Sequence, residues 1–253
     1  MSLRNTSAAV GGIVFLSFLA LAPASFGEET GACNFRGDLE ALKAVKAKFS
    51  GSTENLTAEL GMRKQLLAKV TDCAIEETKQ LKEKISSLPV NEPSMLRIQA
   101  VLREQLEEIV SRYENQKSQI KNLGLQGAQN FSRDLREWRV ANHKPLAGKA
   151  ENFITWAENQ RFFQTAQARL NQIRHTVRIL KLVDNEEIQE LYERSLSQFE
   201  AAERTNKSLE NAFGPSSSPE DSLALIKSSL EALAETYQGF SNLGDAVRKI
   251  LPH

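Results

Sequence analysis

Three histidines, two cysteines and 32 Asp/Glu side chains are the groups in this chain that could support metal, thiol or acid–base chemistry. Their spacing argues against most of it. His143, His175 and His253 are far apart, and none lies in a Glu-x-x-His or His-Glu-x-x-His pattern, the spacings that place metal ligands on one helix face. Acidic neighbours such as Glu107–Glu108 and Glu186–Glu187 point to different sides of a helix, so they do not make a dyad. There is no Walker loop, no G-x-G-x-x-G and no G-x-S-x-G. The expectation is a protein with no catalytic residues, no metal and no cofactor.

Cys33 and Cys73 are better explained as a staple. The first 27 residues have the form of a cleaved signal peptide: Arg4, an apolar run from Ala8 to Ala22, then small residues around Pro23. An uncleaved anchor is the alternative, and only then would the chain contact a membrane. With a bacterial source as the working assumption, the remaining chain is expected to be periplasmic or extracellular, where a cysteine pair oxidises. Helical pattern over residues 38–49 and again from Leu56, with "SGSTEN" between, predicts a hairpin turning near residue 53. That point is midway between the cysteines, so the hairpin brings them together. Closing the loop contributes about 4 kcal/mol in the chain-entropy model.

The stretch "REWRVANHKPLAGKAENFITWAENQRFF" (136–163) holds both tryptophans and reads at first as an aromatic, basic site. Trp156, Phe163, Leu170 and Val177 recur every seven residues, with Ala166, Ile173 and Leu180 at the alternate positions, so Trp156 and Phe163 belong to a packing stripe. Trp138 follows Phe131 and Leu135 in the same way. Phe153 and Phe162 fall beside the stripe. With His143 and Lys144 in the "NHKPLAG" break, they are the candidate partner contacts. Arg133, Arg136 and Arg139, spaced by three, are the candidate anion contacts, a weak ridge for phosphate or carboxylate.

These residues need helices to hold them. Leu60, Leu67, Ala74, Leu81 and Leu88 keep a seven-residue period, and a four-three alternation runs from Met95 to Leu123. Pro89 and Pro93 separate these two runs, which predicts an antiparallel hairpin of long helices. "GLQG" (124–127) ends the hairpin, and Pro145 with Gly148 is expected to interrupt the next helix. A helix from about Lys149 to Val183 follows. "DNEE" (184–187) caps the next, and Ser218–Pro219 starts the last. No strand alternation stands out. The fold class is all-α: elongated antiparallel helical hairpins and a bundle with heptad, coiled-coil-like packing. The expected division is 28–123, stapled hairpins, and 124–253, helical bundle.

Charge is distributed unevenly. Residues 122–182 carry ten Lys/Arg and four Asp/Glu, whereas residues 183–253 carry six and thirteen. The simpler reading packs the basic helix against the acidic ones. The alternative leaves the basic 122–182 segment exposed as a periplasmic chaperone or binder of anionic envelope components. Nucleic acid is a poor candidate for an exported chain of formal net charge 0. The function expected from the sequence is non-enzymatic: a structural or protein-interaction module of the cell envelope, its partner a protein. A second copy of the chain could complete so regular a seam. Three Asn-x-Ser/Thr sequons occur at Asn55, Asn130 and Asn206. The seam position of Asn206 argues against a sugar there.

Overall fold

The computed structural model describes residues 33–47 and 53–250; the segment expected to be a signal peptide, residues 48–52 where the first hairpin is expected to turn, and His253 lie outside these. The described chain is all-α. Its helices are α1 (Arg36–Ala47), α2 (Thr53–Ser86), α3 (Pro93–Ile120), α4 (Leu125–Trp138), α5 (Lys144–Ile179), α6 (Glu186–Ala212) and α7 (Pro219–Ile250), with a π turn at Arg139–His143. α2 alone is about 51 Å long at 1.5 Å per residue. Among the described residues no helix is long and apolar enough to cross a membrane.

The seam residues of α2 and α3 form their interface. Leu67, Ala74, Leu81, Met95, Leu102, Leu106, Ile109, Tyr113 and Ile120 are all buried. Pro93 opens α3, and Gln99 Nε2 donates at 2.7 Å to Ile85 O, a carbonyl at the end of α2 that also accepts from Leu88 N–H at 3.2 Å. α1 lies along α2, contributes no buried side chain, and is tied down by the Lys69–Asp38 ion pair and by the Cys33–Cys73 disulfide, whose Cα atoms are 5.7 Å apart. Reduction of that disulfide is therefore expected to speed amide exchange by at least about tenfold in residues 36–47 while α2–α7 keep their protection. Exchange by mass spectrometry with and without reductant reads this directly.

The helix expected to break at "NHKPLAG" does not break. Pro145 lacks an N–H and its ring crowds the preceding turn, which would kink an ordinary α-helix. One wider π turn absorbs the conflict: Lys144 N–H donates to Arg139 O, and α5 continues with Pro145 in its first turn. α4 and α5 thus form one nearly continuous path along the α2–α3 hairpin and into the C-terminal bundle.

That path joins the two halves of the sequence in a common core. Leu81, Ile85, Met95, Leu102 and Leu106 of the hairpin meet Ala147, Ala150, Phe153 and Trp156 of α5, with Leu209 and Phe213 closing over them. A second cluster, with Phe163, Ala166, Leu170, Phe199, Ala202, Leu233 and Phe240, holds α5, α6 and α7 together. The α6–α7 loop is clamped by α5. Lys149 Nζ donates to Gly214 O at 3.0 Å, Asn152 Nδ2 donates to Pro219 O at 2.7 Å, and a Cβ on Gly148 would lie only 3.1 Å from Pro219 Cβ.

α6 and α7 approach closely because small residues line their contact. A Cβ on Gly239 would sit 2.2 Å from Ser195 Oγ and 3.1 Å from its Cβ. Gly239→Ala is expected to destabilise by about 1–2 kcal/mol, overpacking outweighing the gain in helix propensity. The double variant Gly239→Ala/Ser195→Gly should recover most of that loss, measured by urea unfolding.

Candidate functional site

The aromatic segment builds a buried polar junction at the π turn. α2 supplies Thr78, α3 supplies Tyr113, and the π turn supplies His143, which is only 3% exposed. Thr78 Oγ1 gives its single proton to Ala74 O at 2.6 Å, so towards His143 Nε2, 3.2 Å away, it can only accept. The imidazole is then the Nε2–H tautomer, and its Nδ1 accepts from Tyr113 O–H at 2.8 Å. Every proton in this chain has one place to go.

Burial pushes His143 down to about 4, with the nearby Arg139 cation acting in the same direction. Burial pushes the Tyr113 hydroxyl up to about 12. Through these two hydrogen bonds His143 links α2, α3 and the π turn. Trp138 meets Tyr113 edge-on at 5.2 Å between ring centroids, and Arg112 lies over the Trp138 ring at 5.5 Å.

Three expectations about this region need correcting. The sequence puts His143 in an exposed helix break, but the intact helical path turns it inward onto α2 and α3. Helical spacing puts Phe153 beside the packing stripe, yet it is fully buried. α5 is enclosed there from both sides, by α2–α3 and by the C-terminus of α6, so its buried face is wider than one seam. Neither residue is available as a surface contact. The three arginines do not form one ridge either: Arg133 pairs with Asp134 and Arg136 is exposed, but Arg139 Nη2 turns to Glu77 Oε2 on α2 at 3.1 Å.

Of the other named candidates, Lys144 is exposed and Phe162 is half-buried against the second cluster, with Arg161 over its ring at 5.0 Å. Trp156 and Phe163 are buried as the stripe predicts. The seam residue Asn206 has a role that spacing does not reveal. Its Oδ1 accepts from Trp156 Nε1 at 2.8 Å, and its Nδ2 donates to Gln160 Oε1 at 3.0 Å. This satisfies the buried indole and fixes the register of α5 against α6. Cys33, Cys73 and Glu77 lie close together, but sulfurs joined in a disulfide offer no thiolate to a metal.

The expected pairing of the basic segment with the acidic C-terminal helices is absent. Among the described residues no ion pair links 122–182 with 183–250. Apolar and small side chains fill the α5–α6–α7 interface, so the charges stay outside. Arg161, Arg169, Arg174 and Arg178 are all exposed, in a stretch from 159 to 183 that contains no Asp or Glu. Arg169 lies over Tyr237, and Arg174 Nε donates to Tyr192 Oη at 2.7 Å.

The most unusual surface is the corner between α5 and α6. Leu180, counted on the seam, ends 36% exposed because α5 stops at Ile179 and the chain turns away. Ile179 is 63% exposed and Val183 50%. Lys181 carries φ 53°, the left-handed conformation usually given to glycine, and closes the helix with Leu182 N–H donating to Val177 O at 2.9 Å. Lys181→Gly is expected to raise stability by about 1 kcal/mol in thermal or urea unfolding. Lys181 lies among three exposed aliphatic side chains, Ile179, Leu180 and Val183. On the α6 side, Val183, Asp184, Glu186, Gln189, Glu190 and Glu193 line a shallow groove. Compared with protein-family models, curated proteins and solved structures, the chain matches none.

Proposed function

We propose that the protein is a non-enzymatic helical interaction module of the cell envelope, exported to the periplasm or cell surface, with the α5–α6 corner as its contact surface. The observation that carries this reading is the exposed aliphatic strip Ile179–Leu180–Val183 around a lysine held in a strained conformation. Large aliphatic side chains left in water beside strained backbone are a feature of contact sites more than of solvated loops. The rigid bundle behind the strip supplies a preformed surface, which lowers the entropy cost of binding. The disulfide is consistent with export.

A photo-activated cross-linking residue at Val183, compared with one at the equally exposed Val140, tests this in intact envelope. Discrete protein adducts are expected at Val183 and not at Val140. The same adduct pattern at both positions, or none at Val183, would contradict the proposal.

The exposure of Arg161, Arg169, Arg174 and Arg178 favours a second reading, in which this α5 face binds anionic envelope polymers. That binding would weaken steeply between low and physiological salt, whereas an aliphatic contact would change little.

A further inference from the structure

We propose that the occupant of the α5–α6 corner is a second copy of this chain, docked about a two-fold axis through the Ile179–Val183 strip. This rests on the reading of the corner as the contact surface. Along the chain the exposed side chains run from basic to apolar to acidic: Arg174 and Arg178, then the strip with Lys181 inside it, then Asp184, Glu186, Glu187 and Glu190. A two-fold rotation about the strip exchanges its flanks. The basic flank of each copy then faces the acidic flank of the other, and the apolar centres meet.

The charges are available for this. Among the described residues none of Arg178, Lys181, Asp184, Glu186, Glu187 and Glu190 takes part in an ion pair within the chain. The acidic flank borders the shallow groove beside Val183, which offers several carboxylates to an entering arginine or lysine. Lys181 sits between the aliphatic residues, so a partner that covers the strip must bring negative charge to it. An anionic membrane or polymer would meet the acidic flank and be repelled, and a uniformly basic partner would be repelled by the other. The whole chain has a formal net charge of 0, so no long-range repulsion opposes self-association. The strip is small, so the dimer is weak, with Kd on the order of 10 µM.

Sedimentation velocity on the full purified chain at low salt, from about 1 to 200 µM, tests the proposal. A concentration-dependent dimer is expected, and Val183→Asp should raise its Kd at least about tenfold. The decisive pair reverses one flank at a time: Arg174→Glu/Arg178→Glu in one chain and Glu187→Arg/Glu190→Arg in another. Each variant alone should stay monomeric, and an equimolar mixture should form the heterodimer. If the α6 double variant does not fold, Glu190→Arg, one turn further in, replaces it. A wild type that is monomeric throughout, a dimer indifferent to all these changes, or a mixture that fails to pair would overturn the proposal. So would vesicles containing anionic lipid that bind the wild type and release the Val183→Asp variant. If the chain is monomeric but Val183 still cross-links to a different protein, this inference falls while the contact-surface reading stands.

Discussion

Acidification from pH 7 to pH 4 is expected to cost about 3 kcal/mol of stability through His143 alone. Burial holds this imidazole at about 4 in the folded protein, against about 6.5 in an unfolded chain. The unfolded state therefore binds a proton first as pH falls, and each proton it binds pulls the equilibrium towards unfolding. The stability contribution is complete above pH 6.5, declines through the window between about 6.5 and 4, and is gone below it. Geometry supplies the reason: Tyr113 O–H already points its proton at Nδ1, and Arg139 stands nearby, so a second ring proton has neither an acceptor nor a compensating charge. Urea unfolding at several pH values should give a slope approaching one proton in this window. His143→Phe should lower stability at pH 7 by about 1–3 kcal/mol, because Tyr113 and Thr78 lose their partner, but should flatten the dependence. A wild type and variant with parallel pH profiles would show that the histidine is not held neutral.

The second large effect concerns Phe153. It packs edge-on against Trp156 at 6.0 Å and Phe213 at 5.7 Å, with Trp156 and Phe213 stacked at 5.3 Å. Leu81, Leu102, Leu106 and Leu209 belong to the same cluster, so truncation opens a cavity walled by four helices that cannot collapse onto it. Phe153→Ala is expected to cost about 3–5 kcal/mol. Phe162→Ala, at a half-buried position where the neighbours can relax into solvent, is expected to cost about 1 kcal/mol. Denaturant unfolding of both variants separates the two roles that spacing alone assigns to them jointly. Equal losses would mean that α5 is not enclosed on both sides.

Helical period and caps are legible from the residues themselves. The seam positions of α2 and α3 are largely those that are buried, whereas the buried face of α7 takes in Ser222, Ser229, Thr236, Leu243 and Ala246 beside Ile226, Leu233 and Phe240. Asn185 Oδ1 accepts from Ile188 N–H at 3.0 Å, and Ser218 with Asp221 forms a reciprocal cap at the start of α7. The cysteine spacing reveals the staple, because a hairpin converts equal distances from its turn into contact. The π turn is not legible: Pro145 signals a conflict with the helix, but whether the chain breaks or widens is settled by the helices packed against it. His143 and Phe153 escape the sequence pattern for the same reason, since a one-helix frame gives a stripe and not the number of neighbours around it. Leu180 departs in the other direction, for the heptad continues on paper one residue past the point where α5 ends. The left-handed conformation of Lys181 carries no sequence signal, because the residue that usually marks it is glycine.

If the α5–α6 corner, and not the aromatic segment, is the surface that meets other molecules, charge placed on the corner must abolish its contacts. Chemical cross-linking in native envelope reads this for the wild type, for Ile179→Asp/Val183→Asp, and for Arg133→Glu/Arg136→Glu, with thermal melting of each. The corner variant is expected to lose the wild-type adducts with Tm unchanged within about 2 °C, while the arginine variant keeps them. Adducts that persist in the corner variant and vanish in the arginine variant would show that the contact surface lies elsewhere.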